Sequence, residues 1–112
     1  MSAAPGSGLV RVVVVDPSNW SFTERWVTPA LESIAALVGG SARVWRPELL
    51  EPYALVLGEE VGDPEVEATG VGVVFLLTPA GVGDCGTTLL RVGQKVEFLD
   101  RRRWRLARGR RP

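Results

Sequence analysis

Seven arginines crowd the stretch DRRRWRLARGRRP: Arg101, Arg102, Arg103, Arg105, Arg108, Arg110 and Arg111, with Trp104 among them. Guanidinium groups neutralise phosphates and stack on rings, and an aromatic face accepts a base, so these eight residues are the materials of a nucleic-acid contact. If all seven arginines met phosphates of B-form DNA, log affinity would fall against log salt with a slope near −6, largely regardless of base sequence. Residues 1–100 carry six basic and thirteen acidic side chains, whereas residues 101–112 carry seven basic and none acidic, so a neutral chain hides a −7 body and a +7 end. That asymmetry suits a nucleic-acid arm or an acidic protein partner. It equally suits an arm folded back on the acidic stretch at 59–67, or a solvated end. Twelve arginines to one lysine is also a usage that a GC-rich genome produces without selection.

Other groups with chemical potential are fewer. Residues 81–86 read GVGDCG and satisfy the glycine pattern of dinucleotide sites. That pattern needs a helix opening at its end and an acid about twenty residues on, and the following TTLLRV reads as strand, so a glycine-rich turn is expected. Cys85 in that turn is a possible thiol nucleophile, but the chain has no histidine to activate it, and an ordinary cysteine is expected. Glu59, Glu60, Asp63, Glu65 and Glu67 could hold a hard cation or act as an acid–base pair, yet their spacing is not that of a calcium loop and a solvated surface is expected. With one cysteine and no histidine, no disulfide forms within the chain and histidine-based triads and metal sites are excluded. No catalytic residue, cofactor or metal is assigned.

The elements that must position these groups follow from patterning. LVRVVVV at 9–15 reads as a central strand stopped by Asp16-Pro17-Ser18-Asn19, and the alternating WSFTERWV as a more exposed strand pairing back on it. A helix is expected at 29–38, with Thr28 as N-cap, Pro29 in the first turn, Leu31, Ile34, Ala35 and Val38 on one face, and Gly39-Gly40 as its stop. SARVWR at 41–46, YALVLG at 53–58 and VGVVFLL at 71–77 read as strands, and 87–92 with 95–99 as a hairpin across Gly93-Gln94. Trp20, Trp26 and Trp45 are expected to pack in the core or on a sheet face, and Trp104, among arginines, to be exposed. The fold class implied is α+β: a small mixed or mostly antiparallel sheet with one main helix on one face. The expected organisation is a flexible leader at 1–8, one domain at 9–100 and an arginine-rich tail at 101–112.

The order VVVVDPS, TPALESIAALVGGSARVW, YALVLGEEVG and GDCGTTLLRVG resembles a short domain of phages, plasmids and actinobacterial-type genomes known as domain of unknown function 3846. The resemblance spans roughly residues 9–99. It departs in Val61-Gly62 after the Glu-Glu pair, in the absence of a Leu-Pro and Asn-Arg segment near Asp63–Thr69, and in the arginine-rich end. It implies an accessory protein of a mobile element or a small bacterial domain, and assigns no residue a role.

At 112 residues with 46% hydrophobic and 23% charged residues, the chain is expected to fold around a single core. No apolar run is long enough to span a bilayer and the N-terminus lacks the pattern of a secretory signal, so a cytoplasmic setting and no membrane partner are expected. The sequence thus points first to a non-enzymatic module contacting nucleic acid through its arginines. A module docking on a host protein, or on a second copy, is the alternative reading, and an enzyme of unknown type the third.

Overall fold

The computed structural model describes residues 8–58, 63–85 and 89–107, with backbone alone at Leu89 and Leu90. Nine strands dominate it: β1 Val10–Asp16, β2 Ser21–Val27, β3 Ala42–Trp45, β4 Tyr53–Gly58, β5 Ala68–Thr69, β6 Gly72–Thr78, β7 Gly81–Gly83, β8 Val96–Phe98 and β9 Arg103–Leu106. The α-helices among the described residues are α1 Leu31–Ala36 and α2 Leu89–Lys95, of six and seven residues, and Glu48–Leu50 form a single 3-10 turn. The molecule is therefore mostly β, which corrects the expected α+β class with a main helix at 29–38. α1 starts later than expected: Ala30, in extended backbone, holds the N-cap position in place of Thr28, and its N–H turns back to the Thr28 carbonyl at 2.7 Å.

Strands β2-β1-β6-β4-β3 form one sheet in that order, every pairing antiparallel. β7 folds back on the far end of β6: Leu76 faces Gly83 on one side and Tyr53 on the other, so β7 extends the edge that β1 occupies. Side chains alternate across this sheet and both of its faces are covered. Val12, Ala54, Val56, Val73 and Phe75 meet Ile34 of α1 on one face. Val13, Val15, Leu55, Leu57 and Val74 meet Val92, Trp104 and Leu106 on the other. Burial on both sides is why β1, β4 and β6 read as unbroken apolar runs rather than alternating ones, and why β2, covered less, alternates visibly.

The second face is covered by a smaller antiparallel sheet of order β5-β9-β8 and by α2. The hairpin expected across Gly93-Gln94 is not formed: α2 runs through both residues and the chain becomes β8 directly at Val96. Leu, Arg, Gln and Lys all favour helix, and one glycine costs only about 1 kcal/mol there. Val92 buried in the core and Gly93 against the ring of Phe22 fix that outcome. No helix of the described residues is long and apolar enough to cross a membrane.

Candidate nucleic-acid interface

The arginine-rich stretch starts on a hairpin. β8 and β9 pair in the register Val96↔Leu106, Glu97↔Arg105 and Phe98↔Trp104, and residues 99–102 make the turn between them. The turn closes through Leu99 and Asp100, whose N–H groups donate to the carbonyl of Arg103 at 2.8 and 3.2 Å. The Asp100 carboxylate accepts from the N–H groups of Arg102 and Arg103 at 2.8 and 2.9 Å. A boundary at 100/101 thus falls inside a folded element.

Strand alternation then sorts the arginines. In β9, Arg103 and Arg105 face outward while Trp104 and Leu106 face inward. Trp104 is fully buried, which overturns its expected exposure and removes it from the contact set. Its indole N–H donates to the Gly70 carbonyl at 2.8 Å. Its ring fills the space above Gly72, where a Cβ would lie 2.6 Å from Trp104 Cζ2. Local composition signalled solvent at this position, and strand parity decided otherwise.

The outward arginines divide by what they touch. Arg103 reaches Asp100 at 2.7 Å and Glu67 at 3.4 Å, and Arg105 reaches its cross-strand neighbour Glu97 at 2.9 Å. Folding back onto the 59–67 stretch therefore occurs at Glu67, and the N–H of Leu106 adds a bond to the Pro64 carbonyl at 2.9 Å. The Arg103 side chain holds the Asp100 carboxyl below its usual range, with the Arg102 N–H adding to the effect. Arg101 and Arg102 are exposed and make no ion pair among the described residues. Arg108, Arg110 and Arg111 lie outside those residues.

The other candidates take structural roles. Gly81 and Gly83 belong to β7 and pair with β6, so they line a hairpin rather than a phosphate-cradling loop; Gly86 lies outside the described residues. Cys85 is buried, with its N–H donating to the Arg11 carbonyl at 3.0 Å and its thiol 3.5 Å from the Val74 carbonyl. Burial, reinforced by the Asp84 charge, pushes the thiol up to about 12, so it is not a nucleophile at neutral pH. Asp63 caps its own turn by accepting from the Glu65 N–H at 2.9 Å, and Glu59 and Glu60 lie outside the described residues. Among the described residues no group of three or more His, Cys, Asp or Glu side chains could hold a metal ion.

The tryptophans pair with arginines, but not with their sequence neighbours. Arg11 lies over Trp26 at 4.8 Å and Arg43 over Trp45 at 4.6 Å. Arg25 adjoins Trp26 within β2 and so points to the opposite face, whereas Arg11 is the cross-strand partner of Trp26. Arg46, past the end of β3, donates to the Leu77 carbonyl at 3.4 Å, whereas Arg43 sits two residues before Trp45 within β3. Trp20 departs from its expected packing altogether: it is 55% exposed at the tip of the β1–β2 hairpin. Its φ of +51 is unusual for a bulky side chain. One face is supported by Phe98, 5.7 Å away between centroids, and Phe98 in turn by Phe22 at 5.2 Å. Sequence reading missed this residue as an exposed group; the turn cluster Asp16-Pro17-Ser18-Asn19 just before it was the available signal.

Comparison of the chain with protein-family models, with curated proteins and with solved structures finds no match.

Proposed function

We propose that this domain is a non-enzymatic module that binds a polyanion, nucleic acid first, through arginines that its own fold leaves uncommitted. The observation that carries this reading is the division within the arginine-rich stretch. Arg103 and Arg105 neutralise Asp100, Glu67 and Glu97, while Arg101 and Arg102 stand exposed on the β8–β9 turn without such partners. Arg108, Arg110 and Arg111 extend the same positive stretch in sequence. Phosphate contact by guanidinium needs no particular base, so the binding is sequence-tolerant. The resemblance to a phage and plasmid domain makes an accessory protein of a mobile element the natural setting.

A second reading rests on β3, which lies at one end of the sheet order and exposes Val44 and Arg43. Such an edge can accept a strand of a protein partner by main-chain pairing. This contact would persist at moderate salt.

The deciding experiment is anisotropy of labelled single-stranded and duplex DNA across a salt series, with the full chain and a variant carrying Ser at 101, 102, 108, 110 and 111. Five phosphate contacts give a log–log slope of about −4.5 on duplex or about −3.5 on single strand. The five-serine variant is expected to lose most of the affinity and the slope. Absence of binding by the full chain at low salt, or unchanged binding by the variant, overturns the reading.

A further inference from the structure

We infer that Trp20 is a base-stacking site that makes this module prefer single-stranded over duplex nucleic acid. The inference rests on the polyanion reading and names the form of nucleic acid that the same surface takes.

Trp20 combines exposure with fixed placement. The preceding turn is held by the Asp16 carboxylate, which accepts from the Ser18 N–H at 3.1 Å, the Ser18 hydroxyl at 2.7 Å and the Asn19 side-chain amide at 3.0 Å. Those bonds keep the Asp16 carboxyl below its ordinary value, the Ser18 hydroxyl contributing most. Two backbone bonds, Asn19 N–H to the Asp16 carbonyl at 3.3 Å and Trp20 N–H to the Pro17 carbonyl at 3.2 Å, complete it. Left-handed backbone at a tryptophan survives only where its surroundings enforce it, and here the enforced result is a large ring presented to solvent.

The ring is backed rather than loose. Trp20, Phe98 and Phe22 follow one another at 5.7 and 5.2 Å with tilts of 30° and 38°, a short aromatic column whose outer member is Trp20. A base added to that end would extend the column.

Charge lies close by. Phe98 ends β8, and the 99–102 turn carrying Arg101 and Arg102 follows at once. Arg101 lies three positions beyond Phe98, at most about 11 Å away along extended backbone. That is the scale on which successive phosphates and bases of one strand are read together, with cations on the backbone and a ring under a base. The acids nearest in sequence are engaged: Asp100 by Arg103 and Asp16 by its own turn. A duplex keeps its bases stacked inside and can offer this surface only phosphates, whereas a single strand can offer both.

The test measures anisotropy of labelled oligothymidylate and of a duplex of equal length with the full chain and three variants. Trp20→Gly removes the ring and suits the left-handed backbone, so the fold is retained; Trp20→Phe keeps a stacking face; Arg101→Ser with Arg102→Ser removes the adjacent charge. Trp20→Gly is expected to weaken single-strand binding by about tenfold, as loss of one stacked base does, while leaving duplex binding unchanged. Trp20→Phe is expected to restore most of the loss, and the arginine pair to weaken both ligands. If Trp20→Gly alters neither ligand, or both equally, while the arginine variant still weakens binding, the stacking site is refuted and the polyanion reading stands; the ring is then left to an apolar protein partner. If the unaltered chain binds neither ligand at low salt, both fall together.

Discussion

Trp104 makes a packing contact and a hydrogen bond with a single indole, and both terminate in the short segment Gly70–Gly72. Truncation therefore removes core volume from between the two sheets and leaves the Gly70 carbonyl without its donor. Trp104→Ala is expected to destabilise the fold by about 3–5 kcal/mol, the range for deleting a buried large aromatic ring, as read by urea or thermal unfolding. Loss of nucleic-acid affinity in that variant would then follow from unfolding rather than from a missing contact. An arginine on either side made this residue look like part of a binding surface, and burial assigns it to the core. The reverse holds for Trp20, whose apolar character suggested packing and whose turn holds it in solvent. Residue type alone misassigned both, because at strand and turn positions the backbone decides which way a ring points.

At the scale of elements, the best-signalled features were stops and runs. Gly39 and Gly40 have φ of +105 and +101, and their N–H groups donate to the carbonyls of Ala36 and Ala35 at 3.3 and 2.9 Å. This is the paired closure by which glycines end helices. The β1–β2 hairpin and the strands at 41–46, 53–58 and 71–77 were likewise legible, since buried β-branched runs between turn residues have few other solutions. The Gly93-Gln94 segment was not, because alternation of apolar and polar residues over a few positions fits a strand and a single helical turn alike. Helix and hairpin predict opposite consequences for Gly93→Ala. In the helix, the new Cβ meets the Phe22 ring at 3.5 Å, an ordinary contact, and alanine outranks glycine as a helix former. The substitution is thus expected to stabilise by about 0.5–1 kcal/mol, measured as a raised unfolding midpoint. A two-residue hairpin turn would instead lose its favoured glycine and be weakened.

For the whole molecule, the arginine-rich stretch is where fold and proposed function meet. The first part of it, through Leu106, is the middle strand of the smaller sheet and contributes two fully buried side chains to the core. Ending the chain after Asp100 removes β9, leaving β5 and β8 without a shared neighbour and the face of the larger sheet uncovered. That truncation is expected to abolish cooperative unfolding, seen as loss of near-ultraviolet circular dichroism and of a thermal transition. Ending it after Ala107 keeps β9 and the Ala107 N–H bond to the Lys95 carbonyl at 2.8 Å, and is expected to preserve the transition. Any measurement of the arginines' contribution to binding must use side-chain substitution or the later end point.

Residue order alone specifies the apolar strands, the glycine stop of α1 and the separation of negative from positive charge along the chain. Each of these is a property of contiguous residues. Tertiary packing made the domain mostly β, since the residues expected to form a long helix support only six, and it turned the segment read as a second hairpin into α2 running into β8. It also decided which arginines answer internal acids. Glu67 and Arg103, separated by 36 positions, meet only because β5 and β9 are paired. A contact between distant segments depends on register and strand parity, and neither is written in local composition.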